Sequence, residues 1–263
     1  MIAENNYKLN GRNALVTGVS RRQGIGTAIC RALAEAGANI FFTYWQKYDR
    51  AMPWGVDKTE PEQLQQELQA LGVQAEKFEL DLSDSEAPAK LMETAETRLG
   101  NLSILVNNAT YSVEDSFEKL DARILDQTYF VNLRATALLS VEFARRYSGK
   151  TGGRIINLTS GQFQGAMSGE IAYAATKGAV DALTITLAAE VATKNITVNA
   201  INPGPTDTGW MSEGLKQELL SRFPLGRIGQ PEDAARLVVF LASDDAEWIT
   251  GQIIHSEGGF RRI

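Results

Sequence analysis

Apolar residues along the chain fall into two alternating patterns. Short β-rich runs occupy residues 13–17, 39–44, 74–80, 104–107, 154–159, 197–201 and 253–255. Longer stretches with apolar positions at helical period fill 26–36, 60–71, 85–99, 121–146, 173–193 and 231–242. Strand–helix alternation from one end to the other predicts a parallel sheet with helices on both faces and right-handed crossovers. The expected fold is therefore α/β: a doubly wound, mostly parallel seven-stranded sheet of Rossmann-like form. Gly37, Gly72 and Gly100 each follow a helical stretch, where a left-handed residue would end the helix.

No repeat, low-complexity linker or shift in composition divides the chain, so residues 1–263 read as a single domain. A domain of this size buries roughly 70–75% of its unfolded surface and needs no disulfide or metal to hold it. The segment 204–229 is rich in Pro and Gly and too long for an ordinary connection; loops of that length serve as lids or binding elements.

Composition narrows the function classes. Hydrophobic residues make up 44% and charged residues 22%, which excludes disorder and coiled coil. The formal net charge of −6 and the lack of a long basic run argue against nucleic acid as a partner. One cysteine, Cys30, leaves no internal disulfide and no multi-cysteine metal site; it falls in an apolar helix and reads as a small buried hydrophobe. Met1 to Leu9 is polar, unlike a signal peptide, and no apolar run approaches the ~20 residues that span a bilayer. The expected compartment is the cytoplasm, with no membrane association.

The first strand runs into Thr17-Gly18-Val19-Ser20-Arg21-Arg22-Gln23-Gly24-Ile25-Gly26, where a helix begins. Glycines at such a turn let the backbone approach a ligand, and the helix N-terminus favours a pyrophosphate. An acid ending the second strand would bind a ribose 2′-OH and repel a 2′-phosphate. Here that strand ends Phe42-Thr43-Tyr44-Trp45-Gln46-Lys47, with no acid before Asp49, while Arg21 and Arg22 stand in the glycine turn. Missing acid and present cation together favour NADP(H) over NAD(H). The segment 45–59, with Trp45, Tyr48, Pro53, Trp54 and Gly55, either caps the adenine end of that cofactor or forms a packed surface loop.

Tyr173-Ala174-Ala175-Thr176-Lys177 opens a predicted helix, so phenol and ammonium stand one turn apart on one face. A nearby ammonium should lower the phenol from its ordinary value near 10, making it a usable acid at neutral pH. Ser160 lies just past the fifth strand, and Asn107-Asn108-Ala109 ends the fourth, both at the sheet's C-terminal edge where open α/β folds place their sites. Asn132 sits mid-helix, a mildly unfavourable place that invites a polar role.

With these residues in order, the chain resembles the short-chain dehydrogenase/reductases over nearly its whole length. The resemblance is carried by the Gly18/Gly24/Gly26 turn, Asp81-Leu82, Asn107-Asn108-Ala109, Asn132, Ser160, Tyr173-x-x-x-Lys177, Pro203-Gly204 and the ending Gly251-Gln252 through Gly258-Gly259. It implies that Tyr173 donates the proton in reduction, Ser160 holds the carbonyl, and Lys177 binds the nicotinamide ribose and tunes Tyr173. Asn132 would hold a water that links Lys177 to solvent. The implied cofactor contacts are Gly18, Ser20, Arg21, Gly24, Ile25, Gly26, Tyr44, Asp81, Leu82, Asn108, Ala109, Pro203, Gly204, Thr206 and Thr208; no metal is implied.

Two departures stand out. Five residues separate Gly18 from Gly24 where the family usually has three, and Thr110 replaces a usual glycine. The expanded turn is similar to that of enoyl-thioester reductases, which separate Tyr and Lys by six residues rather than the three found here. The overall pattern is most similar to 3-oxoacyl-thioester (3-oxoacyl-[acyl-carrier-protein]) reductases. Trp210, Met211, Leu215, Leu219, Leu220 and Phe223 populate the covering segment, with Gln162, Phe163 and Gln164 on the other wall, which suits an apolar carbonyl or acyl-thioester substrate. The same residues would serve an alcohol dehydrogenase working oxidatively; the non-enzymatic alternative is a regulatory protein sensing NADP(H). The apolar helices 121–146 and 173–193, with the family habit, imply a homodimer or homotetramer. His255, the only histidine, reads as packed and hydrogen-bonded; Asp244-Asp245 and Arg261-Arg262 read as solvated ends.

Overall fold

The seven apolar runs assemble into one sheet. They become β1 (Asn13–Val16), β2 (Asn39–Tyr44), β3 (Ala75–Glu79), β4 (Ile104–Asn107), β5 (Gly153–Leu158), β6 (Ile196–Asn202) and β7 (Ile253–His255) in a computed structural model that describes residues 8–149 and 151–262. Met1 to Tyr7, part of the polar opening read above, lie outside the described residues. Strand order is β3-β2-β1-β4-β5-β6-β7, and every neighbouring pair is parallel. Helices α1 (Ile25–Glu35), α2 (Gln46–Arg50), α3 (Glu60–Ala70), α4 (Ala87–Leu99), α5 (Ala122–Tyr129), α6 (Thr136–Arg146), α7 (Ile171–Val191), α8 (Glu213–Leu220) and α9 (Pro231–Ala242) complete the fold.

Helices cover both faces of the sheet because its strands are apolar on both. Phe41 and Phe42, adjacent on β2, are fully buried and point into opposite cores, as the strand's twofold period requires. Phe42 packs with Ile29 and Leu33 of α1, Leu64 and Leu68 of α3, and Val238 and Leu241 of α9. Phe41 faces Leu91 and Met92 of α4, Leu139 and Phe143 of α6, and Leu187 of α7. Each such side chain contributes about 1.5–3 kcal/mol relative to exposure. Strand order reverses between the paired strands β1 and β4, the switch point at whose C-terminal ends open α/β folds place their ligand crevice.

Several expectations need correction. The stretch 121–146 is not one regular α-helix: a π-helical segment, Phe130–Ala135, separates α5 from α6. The helix carrying Tyr173 begins two residues earlier, at Ile171. Segments 45–59 and 204–229, read as irregular, each contain a short helix, α2 and α8. Asp244 is exposed but not idle: it pairs with Arg12 and lies 3.5 Å from Arg154, two guanidinium groups buried at the N-terminal edge of the sheet. Arg262 is not a solvated end either, because its guanidinium meets Glu257 at 2.8 Å and Gln164 at 2.6 Å. His255 is exposed, with Nδ1 3.0 Å from Asn202 Nδ2, so it is hydrogen-bonded but not packed inside. Cys30 is fully buried, which pushes its thiol up from the ordinary value. No helix among the described residues is long and apolar enough to cross a membrane.

Candidate active site

The turn after β1 lies hard against the end of β4. Gly18 has φ 74°, and a Cβ there would fall 2.5 Å from Ala109 Cα. A Cβ on Gly26 would fall 2.7 Å from Asn108 Nδ2 and 2.8 Å from the Gly18 carbonyl. Asn108 braces this contact, donating from Nδ2 to the carbonyls of Thr17 and Gly18 at 2.9 Å each. Thr17 Oγ1 accepts from the N–H groups of Asn108 (3.1 Å) and Ala109 (3.0 Å). Gly24 precedes α1 without a side-chain cap, and no acid stands in the first turn beginning at Ile25. That leaves the helix's leading N–H groups, with their positive partial charge, to an anionic ligand. A bare helix start behind side-chain-free backbone fits a dinucleotide pyrophosphate.

Ser20 joins this turn to the end of β2 by accepting from the Trp45 N–H at 3.2 Å, beside Tyr44, whose phenol burial pushes up. Asp81, past the end of β3, spends Oδ1 on the N–H (2.9 Å) and hydroxyl (2.7 Å) of Ser83; Leu82 beside it is buried. Arg21 is engaged. Nη1 donates to the Thr208 carbonyl at 3.0 Å, Nη2 to Thr208 Oγ1 at 3.3 Å, and Nε lies 3.5 Å from Asp49, while Cζ stands 4.4 Å from the Trp54 ring centre. A 2′-phosphate would share this guanidinium. Arg22 points elsewhere, to Glu67 at 2.6 Å.

The segment 204–229 closes at its base. Gly204, at φ 65°, packs so tightly on Glu257 that a Cβ would fall 2.4 Å from that residue's Cβ, and its N–H donates to Asn202 Oδ1 at 2.9 Å. Thr206, following Pro203 to Pro205, bridges in parallel to Gly229, and the Asp207 N–H donates to the Gly229 carbonyl at 2.8 Å. Within the segment Met211 and Phe223 are buried, whereas Trp210 is half-exposed.

Across the crevice, Ser160 follows β5; its hydroxyl donates to Met167 Sδ at 3.8 Å and lies close enough to the Tyr173 phenol to influence its titration. Burial pushes the phenol above its ordinary value, Glu170 adds to this, and the nearby Ser160 hydroxyl opposes it. The expected lowering by Lys177 is therefore absent. Lys177 Nζ lies 5.5 Å from the centre of the Tyr173 ring and donates instead to the Leu158 carbonyl at 2.7 Å. Burial pushes the lysine down to about 8, and only an ionised Asp181 would pull it back up.

Asn132 lies in the π-helical segment with its amide fully spent. Nδ2 donates to the Tyr111 carbonyl (2.9 Å) and Thr176 Oγ1 (3.2 Å); Oδ1 accepts from the Tyr111 N–H (2.7 Å) and Thr110 Oγ1 (3.2 Å). It ties the loop after β4 to the residue next to Lys177, with no side-chain contact to Lys177 itself.

Other contributors escaped the sequence reading. Asp115, buried, caps α7 from 56 residues away, accepting from the Ile171 N–H at 2.5 Å and the Ala172 N–H at 2.9 Å. A buried amide–hydroxyl chain joins β4, β5, α6 and α7: Asn107 Nδ2 donates to Ser140 Oγ (3.0 Å) and Asn157 Oδ1 (2.9 Å), and Asn157 Nδ2 donates to Thr184 Oγ1 (2.9 Å). Tyr48 from α2 packs 5.5 Å from the Tyr111 ring and donates to the Ser112 carbonyl at 2.9 Å. The segment 45–59 is thus a packed loop that reaches the catalytic side of the crevice. Its aromatic residues, Trp45, Tyr48 and Trp54, were the sequence signal for such packing.

Comparison with known proteins agrees with this geometry. A family model described as enoyl-(acyl carrier protein) reductase matches residues 18–261. The oxidoreductase YjdA of Bacillus subtilis strain 168 is 53% identical over 251 residues, covering 95% of this chain and 96% of that protein. The 3-oxoacyl-[acyl-carrier-protein] reductase of Aquifex aeolicus is 34% identical, covering 96% of this chain and 98% of that one. Among solved structures, a blue fluorescent protein from a metagenomic library, in complex with NADPH, superposes with a TM-score of 0.86 at 34% identity, covering 97% of this chain and 100% of that one.

Proposed function

Because the chain belongs to the short-chain dehydrogenase/reductase family of oxidoreductases, we propose that it is an NADP(H)-dependent reductase that turns a ketone or 3-oxoacyl thioester into the alcohol. The observation that carries this reading is the gathering of the Ser160 hydroxyl, the Tyr173 phenol and Lys177, one turn along α7, at the C-terminal ends of the strands. NADP(H) is supported by the NADPH complex of the blue fluorescent relative and by the lack of an acid between β2 and Asp49.

When bound, the cofactor supplies the hydride to the carbonyl carbon. Gly18, Gly24, Ile25 and Gly26 would hold its pyrophosphate, and Asp81, Asn108 and Ala109 would flank its adenosine and ribose. Thr206 and Thr208 would meet its carboxamide end. Ser160 and Tyr173 direct hydroxyl hydrogens toward the carbonyl oxygen, where negative charge grows. One such preorganised donor is worth about 10²–10³ in rate. The Tyr173 proton passes to that oxygen, so the phenolate left behind must be stabilised. Lys177, held at Leu158 and close to its titration point, provides the positive charge and would bind the ribose hydroxyls. In this scheme Asn132 fixes Thr176 and the Tyr111 loop; its amide has no hydrogen-bonding capacity left for a side-chain water relay.

Enoyl-thioester reduction is the second reading, favoured by the description of the matching family model and by the five residues between Gly18 and Gly24. The three-residue gap between Tyr173 and Lys177 favours carbonyl reduction. Half-exposed Leu125 and Tyr129 on α5 and exposed Ile185 on α7 supply an apolar face for the proposed homo-oligomer. The cytoplasm is the proposed compartment.

The test follows NADPH absorbance with a panel of ketones, an acetoacetyl thioester and an enoyl thioester, beside Tyr173→Phe. Turnover of the 3-oxo substrates that the variant loses supports the reading. Turnover of the enoyl thioester alone refutes it, and tight NADPH binding with no turnover across the panel points to a sensor.

A further inference from the structure

Behind Lys177, one turn further along α7, lies a carboxylate that the reaction does not use. Asp181 is buried, and Gln162, two residues past Ser160, donates from Nε2 to its Oδ2 at 2.5 Å. The other two atoms of this pair, Asp181 Oδ1 and Gln162 Oε1, are both buried without a hydrogen-bond partner among the described residues. Both are acceptors when Asp181 is ionised, so as a carboxylate and an amide they cannot satisfy each other. Orphaned acceptors of this kind are costly to bury, and native structures carry few of them. A single proton on Asp181 Oδ1 removes both at once, because the acid can then donate to Gln162 Oε1.

We propose that Asp181 is carried as the neutral acid, closed with Gln162 into a two-bond acid–amide ring that positions the loop bearing Ser160. The ring fastens that loop to α7, the helix that presents Tyr173 and Lys177, and keeps a negative charge away from the lysine. Burial raises the Asp181 carboxyl above its ordinary range, although the Gln162 hydrogen bond and the nearby Thr159 hydroxyl, which itself donates to the Lys177 carbonyl at 3.3 Å, oppose this. The charged groups that face it are Lys177 on its own helix and His255 on β7, and both pull the other way. As pH rises and Asp181 ionises, one ring bond is lost and a carboxylate appears one turn from the lysine ammonium. Asp181 is thus a positioning residue, acting through Gln162 and Lys177.

The protonation claim stands without any substrate. The link to Ser160 rests on the reductase reading. The experiment records the carboxyl resonances of ¹³C-aspartate-labelled wild type and Asp181→Asn over a pH series, with thermal melts of both. Asparagine can form the same ring, accepting from Gln162 Nε2 and donating to Oε1, so the variant should fold. The expected result is one carboxyl signal, missing in the variant, that stays protonated where ordinary aspartates have ionised. A raised folded value means the unfolded chain ionises first. Wild type should therefore lose stability relative to the variant as pH climbs from the ordinary aspartate range through the raised value. In turnover assays, wild-type kcat/KM should show an inflection at the pH of that signal, absent from Asp181→Asn. An ionised Asp181 signal throughout, or a stability difference flat with pH, overturns the proposal. Absence of turnover with a protonated signal would instead count against the reductase reading alone.

Discussion

Replacing Asp115 by alanine tests whether the catalytic helix is held from outside its own sequence. α7 has no side-chain cap of its own at Glu170, and its first N–H groups are met by the two oxygens of Asp115. Each is a charge-assisted bond, worth about 1.5–3 kcal/mol, and the helix dipole adds roughly 0.3–1 kcal/mol. Alanine leaves the buried Ala172 N–H and the part-buried Ile171 N–H bare; part of the loss returns if water enters. The expected cost is about 3–5 kcal/mol, a fall in Tm of roughly 5–9 °C for a chain of this size. Asp121 offers an internal comparison: it caps α5 locally, accepting from the Ile124 N–H at 2.8 Å on the surface. Asp121→Ala should cost only about 1 kcal/mol. Because Asp115 also sets where α7 starts, Tyr173 should shift, and a displacement near 1 Å can cost about 10² in rate. Urea melts and turnover of the best panel substrate are the assays. Equal and small losses for the two variants, with the rate of Asp115→Ala unchanged, would show that the crevice is positioned by something else.

Lys177→Met should alter the pH dependence of stability in a definite sense. With the folded lysine pushed down to about 8, the unfolded chain holds the extra proton between that value and 10.5. Wild type should therefore gain stability relative to the variant as pH rises through that window, read from urea midpoints; a gain toward acid pH would contradict it. Gly26→Ala forces a methyl onto Asn108 and the Gly18 carbonyl and should cost about 1–3 kcal/mol along with NADPH binding. Gly178→Ala, whose Cβ would meet nothing closer than Phe163 at 3.8 Å, should instead stabilise by about 0.5–1 kcal/mol. Thermal melts of both read the difference, and equal destabilisation would refute the steric argument. Arg21→Ala removes the ties to Thr208 and Asp49, so NADPH should weaken far more than NADH while protease access around 204–229 increases; equal losses for the two cofactors would remove Arg21 from the phosphate site.

The sheet was legible because both sides of it are buried: Phe41 and Phe42 are apolar neighbours whichever core they face, so the run stands out whatever its register. Ser160, Tyr173 and Lys177 were legible as an ordered set, since each occupies a place fixed by the strand or helix that precedes it. Asp115 was not, because a cap supplied from another loop carries no local signal at position 170. Asn107 was named as part of the strand-ending motif, but its link to Ser140 and Asn157, and Asn157 itself, were not legible, because the partners of these strand residues lie on β5, α6 and α7. Asp181 and Gln162 sit 19 residues apart and only the folded crossover brings them together. The charge on Tyr173 was misjudged for a related reason: spacing along a helix gives distance to Lys177 but not the depth at which the phenol is buried.

The π-helical turn that carries Asn132 also sets the angular phase of everything before it. One residue of an α-helix advances about 100°, so the extra residue in Phe130–Ala135 rotates α5 relative to α6 by that amount. Without it, the outward stripe of α6 would simply continue through Leu125 and Tyr129. Deleting one residue from this turn would straighten the helix and swing those side chains round to a different compass point, carrying Asn132 off Thr176. The apolar outer face of α5 and a buried amide beside the site are thereby indexed to the same local irregularity, and a change of length here cannot alter one while sparing the other.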